Sequence, residues 1–372
     1  MDQKPMRILH VLGTLNRGGA ESRIMDLYRN MDRTKVQFDF LIHTKEICHF
    51  EEDVGNMGGR IFRVPRFRLY NYFKYCKSLK SLFSIHNDFR AVHGHMTSTA
   101  SIYLPIAKKK GIPLTIAHAR SAGVDKGIKG IITKLIRYRL QYKTDFCFAC
   151  ATIAGEAVFG KKAVMQNKVI IWPNTIMADK FRFNDLIRKK MRTELGINEK
   201  FVIGHVGRFH PLKNHEFLLD VFKDLCSIKT NCYLLLLGDG ELRQKCEKKV
   251  KQLGIGDKVL FLGNQSDPEN YYQAMDFLLF PSIYEGMPGT VIEAQASGLP
   301  CLVSDTVTQE VKYSNLVTFK SLKDSKEEWA KFIANANISL ERDRYEETVN
   351  AGFDVKDQAK KLTKFYETMQ IN

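Results

Sequence analysis

Two glutamates eight positions apart, Glu285 and Glu293, enclose the turn Gly286-Met287-Pro288-Gly289 and the start of a helical stretch, TVIEAQASG. Glu285 follows a strand and turn, FPSIYE, and Glu293 falls on the helix that begins near Gly289. Carboxylates accept hydrogen bonds from sugar and ribose hydroxyls, and a helix N-terminus offers free N–H groups and a positive dipole end to a phosphate. The plainer reading is a loop with an acidic residue favouring the helix dipole. A second loop, Gly207-Arg208-Phe-His-Pro-Leu-Lys213-Asn214, follows the strand FVIGHV. Its guanidinium fork and ammonium point charge together suit a diphosphate; a solvated basic loop is the alternative, and the strand-end position favours the ligand.

The N-terminal turn Gly13-Thr-Leu-Asn-Arg-Gly18-Gly19-Ala-Glu21 is rich in glycine but lacks both the G-x-G-x-x-G spacing and a following Lys-Ser/Thr. That argues against a nicotinamide dehydrogenase or a P-loop nucleotidase, while Gly18 and Gly19 would let backbone approach a ligand. His118 ends the strand LTIAHA and is a candidate for the chemistry, against a structural hydrogen-bonding role. His93 and His95 alternate onto one side of a strand, but no further ligand accompanies them. They read as structural or acceptor-side residues, and no metal site is expected.

These residues need a scaffold that collects strand ends. In the first half RILHVLG, FDFLIH, GRIFRVP, AVHGHM, LTIAHA, DFCFAC and KVIIWPN read as buried strands, with helical stretches such as AESRIMDLYRNM and TASIYLPIAKKKG between them. The second half repeats the plan with FVIGHVG, CYLLLLGDG, VLFLG, DFLLFPS and PCLVSD. Strand–helix alternation implies parallel, doubly wound sheets. We expect two Rossmann-like domains, 1–178 and 179–354, facing across a cleft at their strand carboxyl ends, with a closing helix over 355–372.

Length, 44% hydrophobic and 26% charged residues fit a two-domain globular protein. Eight scattered cysteines without a second ligand pair imply buried thiols in a reducing compartment. No leader or membrane-spanning run is evident, so a cytoplasmic or peripheral protein is expected. The net charge of +16 is unevenly spread: residues 1–178 hold 29 Lys and Arg against 13 Asp and Glu, while the remainder balances at 28 of each. Two basic stretches interleave aromatic or aliphatic residues: Arg63 to Lys77, and Lys126 and Lys129 through Lys134, Arg137, Arg139 and Lys143. That composition suits an anionic membrane surface; a solvated helix face is the alternative, and no nucleic-acid motif is present.

Taken together, RILHVLGTLNRGGAES, AVHGHMTS, TIAHAR, WPNTI, GHVGRFHPLKNH, LLLGDGEL, FLGNQSD and YEGMPGTVIEAQASGLPCLVSD resemble glycosyltransferase family 4, in particular bacterial capsular and exopolysaccharide enzymes. The resemblance implies a GT-B fold and a retaining, metal-independent hexosyltransferase without cofactor. It implies transfer of a hexose or N-acetylhexosamine from a nucleotide-diphospho-sugar, UDP in preference to GDP, to a glycan or lipid-linked acceptor. Arg208 and Lys213 would hold the donor diphosphate, Glu285 and the amides of Gly286 to Gly289 the transferred sugar, and Glu293 the ribose. Backbone at Asn264 and Gln265 would face the base, Gly18 and Gly19 the phosphates, and His118 the reacting sugar. The sequence departs from the commonest pattern at Gly289-Thr290, where an apolar pair is usual, and at Ala119-Arg120, where many relatives carry Ser or His and then Asn. A nucleotide-sugar epimerase of the same fold and a silent binding module are the competing readings.

Overall fold

The computed structural model of the chain describes residues 4–121, 127–337 and 343–369; Lys126 of the basic stretch and the last three residues of the closing segment lie outside them. Two compact units result, 1–175 with 355–372, and 176–354. The division falls at Thr175/Ile176 for a local reason. The Thr175 hydroxyl donates to Gln358 Oε1 (3.3 Å) in the first unit, whereas the Ile176 N–H donates to the Phe353 carbonyl (2.9 Å) in the second.

The first unit is built on seven strands: β1 (Met6–Leu12), β2 (Val36–Ile42), β3 (Ile61–Arg63), β4 (Phe89–Gly94), β5 (Leu114–Ala119), β6 (Phe146–Ala149) and β7 (Val169–Ile171). They pair in parallel in the order β3-β2-β1-β4-β5-β6-β7. Helices on both faces of a parallel sheet leave no exposed side, which is why β2 is buried at every position. One of those positions is Asp39, answered by Arg7 Nε at 2.7 Å and Arg60 Nη2 at 2.8 Å, so the buried carboxylate ties β1 and the approach to β3 onto β2. The closing helix Val355–Thr368 belongs to this unit: Gln358 Nε2 donates to the Pro173 carbonyl at 2.8 Å, and Arg90 Nη2 to that of Met369 at 2.5 Å.

The second unit holds β8 (Phe201–Val206), β9 (Cys232–Leu237), β10 (Val259–Gly263), β11 (Phe277–Phe280), β12 (Cys301–Ser304) and β13 (Val317–Lys320), parallel in the order β10-β9-β8-β11-β12-β13. β13 was not expected: Thr318 and Lys320 interrupt its four residues, so the apolar run that reveals the other strands is missing. Helix His215–Ile228 turns Leu218, Phe222 and Leu225 inward at helical spacing against Trp329 of helix Lys326–Ala334. That helix starts with a capping box, Glu328 N–H donating to Ser325 Oγ and Ser325 N–H to Glu328 Oε2.

Both sheets run outward in opposite directions from one central pair, β1/β4 and β8/β11. Open α/β sheets bind ligands beyond the strand carboxyl ends where that reversal opens a crevice. The residues after β1, β4, β8 and β11 are therefore the ones the fold sets forward.

Candidate active site

In the second unit the loop after β8 is pinned before any ligand arrives. Phe209 N–H donates to the Asp239 carbonyl (3.0 Å), and Leu242 N–H donates back to that of Phe209 (3.2 Å). This close approach needs the glycines of LLLGDGEL. At Gly238 (φ +127°) a Cβ would overlap the Gly207 carbonyl oxygen, and at Gly240 (φ +154°) it would lie 2.6 Å from that of Phe209. Sequence reading quoted the motif without giving it this role.

Arg208 is exposed and takes part in no ion pair or side-chain hydrogen bond among the described residues. Lys213 closes the short 3₁₀ turn Pro211–Lys213, after which Asn214 adopts a left-handed conformation (φ +56°) and the long helix begins. The Lys213 stem crosses Gly207, with Cε 3.2 Å from where a Cβ would stand there. Its ammonium lies 4.7 Å from the centre of the Phe280 ring and 2.8 Å from Glu285 Oε1. Glu285 is held by a parallel bridge to Val307, and Ile283 N–H donates to the Leu212 carbonyl at 2.8 Å. Lys213 and Glu285 thus meet across the β8/β11 crevice, on loops fastened to each other.

Gly286, Met287 and Pro288 are buried beneath the start of helix Gly289–Ala296. Thr290, one of the departures noted above, donates its hydroxyl to the Val206 carbonyl (3.2 Å) and so anchors the helix start to the end of β8. Glu293 differs from Glu285: it is 7% exposed, and the Tyr272 hydroxyl donates to its Oε2 at 2.8 Å. Asn264 is exposed and Gln265 half-buried, the latter accepting from the Tyr271 hydroxyl at 3.0 Å. Both follow the edge strand β10, two strands from β8. Behind the Arg208 loop, His215 stacks on Phe209 (4.2 Å between ring centres) and meets His205 edge-on. Burial, and then the Lys213 charge, brings His215 down to about 4, and burial takes His205 well below its ordinary value.

In the first unit the strand order gathers histidines far apart in sequence. His10 on β1, His93 on β4 and His118 on β5 lie side by side, with His95 just beyond β4. His10 Nδ1 is 3.0 Å from His95 Nε2, His93 Nε2 is 3.0 Å from His118 Nδ1, and His93 Nδ1 is 2.7 Å from the Tyr366 hydroxyl. Arg120 Nε donates to His95 Nδ1 at 3.3 Å. A neutral His95 therefore carries its proton on Nε2 and donates it to His10 Nδ1. Burial, with the Arg120 charge adding to it, lowers all four imidazoles, His10 to about 3 and the others well below the ordinary range.

The expectation that nothing accompanies His93 and His95 is corrected. His10 joins them, and the ligand atoms of the three lie within 4.8 Å of one another. The sequence hid this because His10 lies 85 residues before His95. Of their ring nitrogens, His10 Nδ1 is nonetheless engaged by His95 Nε2 and His93 Nε2 by His118 Nδ1, and the Arg120 charge opposes a cation at that spot.

Gly18 caps helix Gly19–Asn30 in extended geometry. A Cβ on Gly18 would overlap Oε2 of Glu21, whereas one on Gly19 would meet open space. The Glu21 carboxylate is therefore folded back over the glycine turn, its acidity reduced by burial.

Residues 187–339 match the family described as glycosyl transferases group 1. The chain is 34% identical to EpsF of Bacillus subtilis (strain 168), which is designated a glycosyltransferase, over 98% of this chain and 97% of the relative. It is 27% identical, over 77% of this chain and 79% of the relative, to the Escherichia coli UDP-Gal:alpha-D-GlcNAc-diphosphoundecaprenol alpha-1,3-galactosyltransferase. Among solved structures, HepE of Anabaena in complex with UDP superposes with a TM-score of 0.80 at 15% identity, covering 98% of this chain and all of that one. The fold, the basic and acidic residues at the β8/β11 crevice and the full-length likeness to EpsF lead to one conclusion: the chain belongs to the GT-B glycosyltransferases.

Proposed function

We propose that the protein is a retaining, metal-independent hexosyltransferase of glycosyltransferase family 4. In this reading it moves a hexose or N-acetylhexosamine from a UDP-sugar to a glycan or lipid-linked acceptor during assembly of a bacterial surface polysaccharide. The observation that carries the reading is the Lys213–Glu285 pair at the β8/β11 crevice, with exposed Arg208 on the same loop. The diphosphate takes the place of Glu285 on Lys213, freeing that carboxylate for the hydroxyls of the transferred sugar. Arg208 and Lys213 then absorb the charge that grows on the leaving diphosphate, Glu293 accepts from the ribose, and backbone near Asn264 and Gln265 borders the base. Retention follows from front-face attack, the leaving diphosphate taking the acceptor's proton. The name of the Escherichia coli relative, with its UDP-linked donor and its acceptor on diphosphoundecaprenol, supports the choice of substrates. Purified protein is expected to release UDP slowly from one UDP-sugar with water as acceptor, equally fast with and without a chelator. A strict requirement for Mg²⁺ or Mn²⁺, or an epimerised sugar in place of UDP release, would overturn the reading.

The proposal extends to the membrane. No helix among the described residues is long and apolar enough to cross one. In the first unit, however, Leu69, Tyr70 and Phe73 are exposed among Arg66, Arg68, Lys74 and Lys77. Ile131, Leu135, Tyr138 and Tyr142 are exposed among Lys134, Arg139 and Lys143. Apolar tips set between cations suit a peripheral seat on anionic lipid at the inner face of the plasma membrane. Cosedimentation with phosphatidylglycerol vesicles is expected at low salt, with release at high salt; absence of binding at low salt removes this part of the proposal.

A further inference from the structure

Arg120 is one of the residues at which this sequence leaves the commonest pattern of the family it resembles, and the proposed transfer gives it no role. It sits one position past β5 at the carboxyl end of the first sheet, half-buried. Its Nε donates to His95 Nδ1, and its Nη1 to Asn174 Oδ1 at 2.9 Å. Both acceptors are neutral. Among the described residues no carboxylate pairs with it, in contrast to Arg7 and Arg60 in the same unit, which share Asp39. Burial brings its guanidinium only down to about 10, so it stays charged at neutral pH, and its field is one of the causes that keep all four neighbouring histidines neutral. A guanidinium has five N–H donors in a planar fork; among the described residues two are used, both on neutral groups that position the fork without cancelling its charge. Such a fork, at a strand end and facing a wall of uncharged imidazoles, is shaped to take a planar pair of anionic oxygens.

We infer that Arg120, oriented by His95 and Asn174, forms an oxyanion subsite of the first unit that binds a phosphate of the acceptor, the diphosphate ester of a lipid-linked sugar. This rests on the proposed lipid-linked acceptor, but the subsite itself can be tested without any transfer reaction. The neutral histidines keep the positive charge local to the fork. His95, donating onward to His10, cannot offer Nδ1 to anything but Arg120 while that bond holds.

Full-length protein carrying Arg208→Ala and Lys213→Ala, which disables the donor loop, is titrated with inorganic pyrophosphate and with farnesyl diphosphate by calorimetry. Both are expected to bind at one site. Adding Arg120→Gln is expected to weaken that binding by about tenfold or more, the loss of a charge-assisted bidentate contact. Arg120→Lys should recover part of the affinity through charge alone. Urea midpoints of the variants, which should match the parent, separate loss of the subsite from loss of the fold. Unchanged pyrophosphate affinity in the Arg120→Gln variant, or no binding before it is introduced, overturns the inference. If UDP displaces farnesyl diphosphate in the donor-loop variant and itself depends on Arg120, the oxyanion comes from the donor and the acceptor assignment is wrong. Failure of UDP release in the wild-type protein would sink the proposed function while leaving these titrations intact.

Discussion

Replacing Arg208 or Lys213 with alanine is expected to lower turnover at least ~10²-fold, the size of effect seen when one preorganised charge partner of a developing anion is removed. The effect should fall mainly on kcat, because the charge on the leaving diphosphate is greater in the transition state than in the bound donor. It should occur with little loss of stability. Arg208 is exposed, and the Lys213–Glu285 pair is part-exposed, at 17% and 23% of the two side chains. Pairs of that kind contribute about 1 kcal/mol or less. Lys213→Ala also gives up packing over Phe280 and Gly207, so Lys213→Met, which keeps much of the stem, separates charge from packing. Steady-state kinetics with a matched urea midpoint is the measurement. Near-normal turnover in both alanine variants would remove the donor assignment.

The second large effect is on stability in mild acid. Burial lowers the folded-state pKa of His10 to about 3 and of His215 to about 4, against an unfolded value near 6.5. The unfolded chain therefore binds more protons than the folded one below that value. The stability these groups contribute is complete above about pH 6.5 and is lost as the pH falls towards the folded values. At pH 5 the difference is about 2 kcal/mol for each of the two, from about 1.4 kcal/mol per pH unit. His93, His95, His118 and His205 act in the same direction. Against a typical stability of about 5–15 kcal/mol this is a large fraction. The two tryptophans separate the units, since Trp172 lies in the first and Trp329 in the second. Urea unfolding of Trp172→Phe and Trp329→Phe proteins, followed by the remaining indole, should show both midpoints falling from pH 7 to pH 5. Midpoints that stay level over that interval would refute the neutral, buried state of these rings.

Much of this could be read from the chain before its structure. LTIAHA and VLFLG have the bounds of β5 and β10 as seen, the first because it is buried throughout and the second because its residues stay apolar even at the sheet edge. Arg208, Lys213 and Glu285 could be picked out because they stand on the loops that follow such runs. β13 escaped because Thr318 and Lys320 break its four residues, leaving no apolar run to see. The histidine cluster escaped for a different reason. Its members come from three strands made neighbours by sheet order, and nothing near His10 in sequence points to His93 or His118. Arg120 was noticed as an unusual residue, but its lack of an acidic partner among the described residues is a fact of three dimensions. The buried, Tyr272-held state of Glu293 was equally invisible, since the eight-residue spacing alone made it the equal of Glu285.

The bond between Lys213 and Glu285 has a further consequence for selectivity. With its own carboxylate on the ammonium, the chain carries a built-in competitor at an effective concentration that dilution cannot lower. A stray chloride or acetate, bearing one charge and tethered to nothing, competes poorly with such a neighbour. In the proposed function a diphosphate brings more charge and engages Arg208 at the same time, which favours it in the exchange. On that proposal, ligand arrival would also be what sets the carboxylate free, making sugar binding by Glu285 conditional on a correct leaving group being in place.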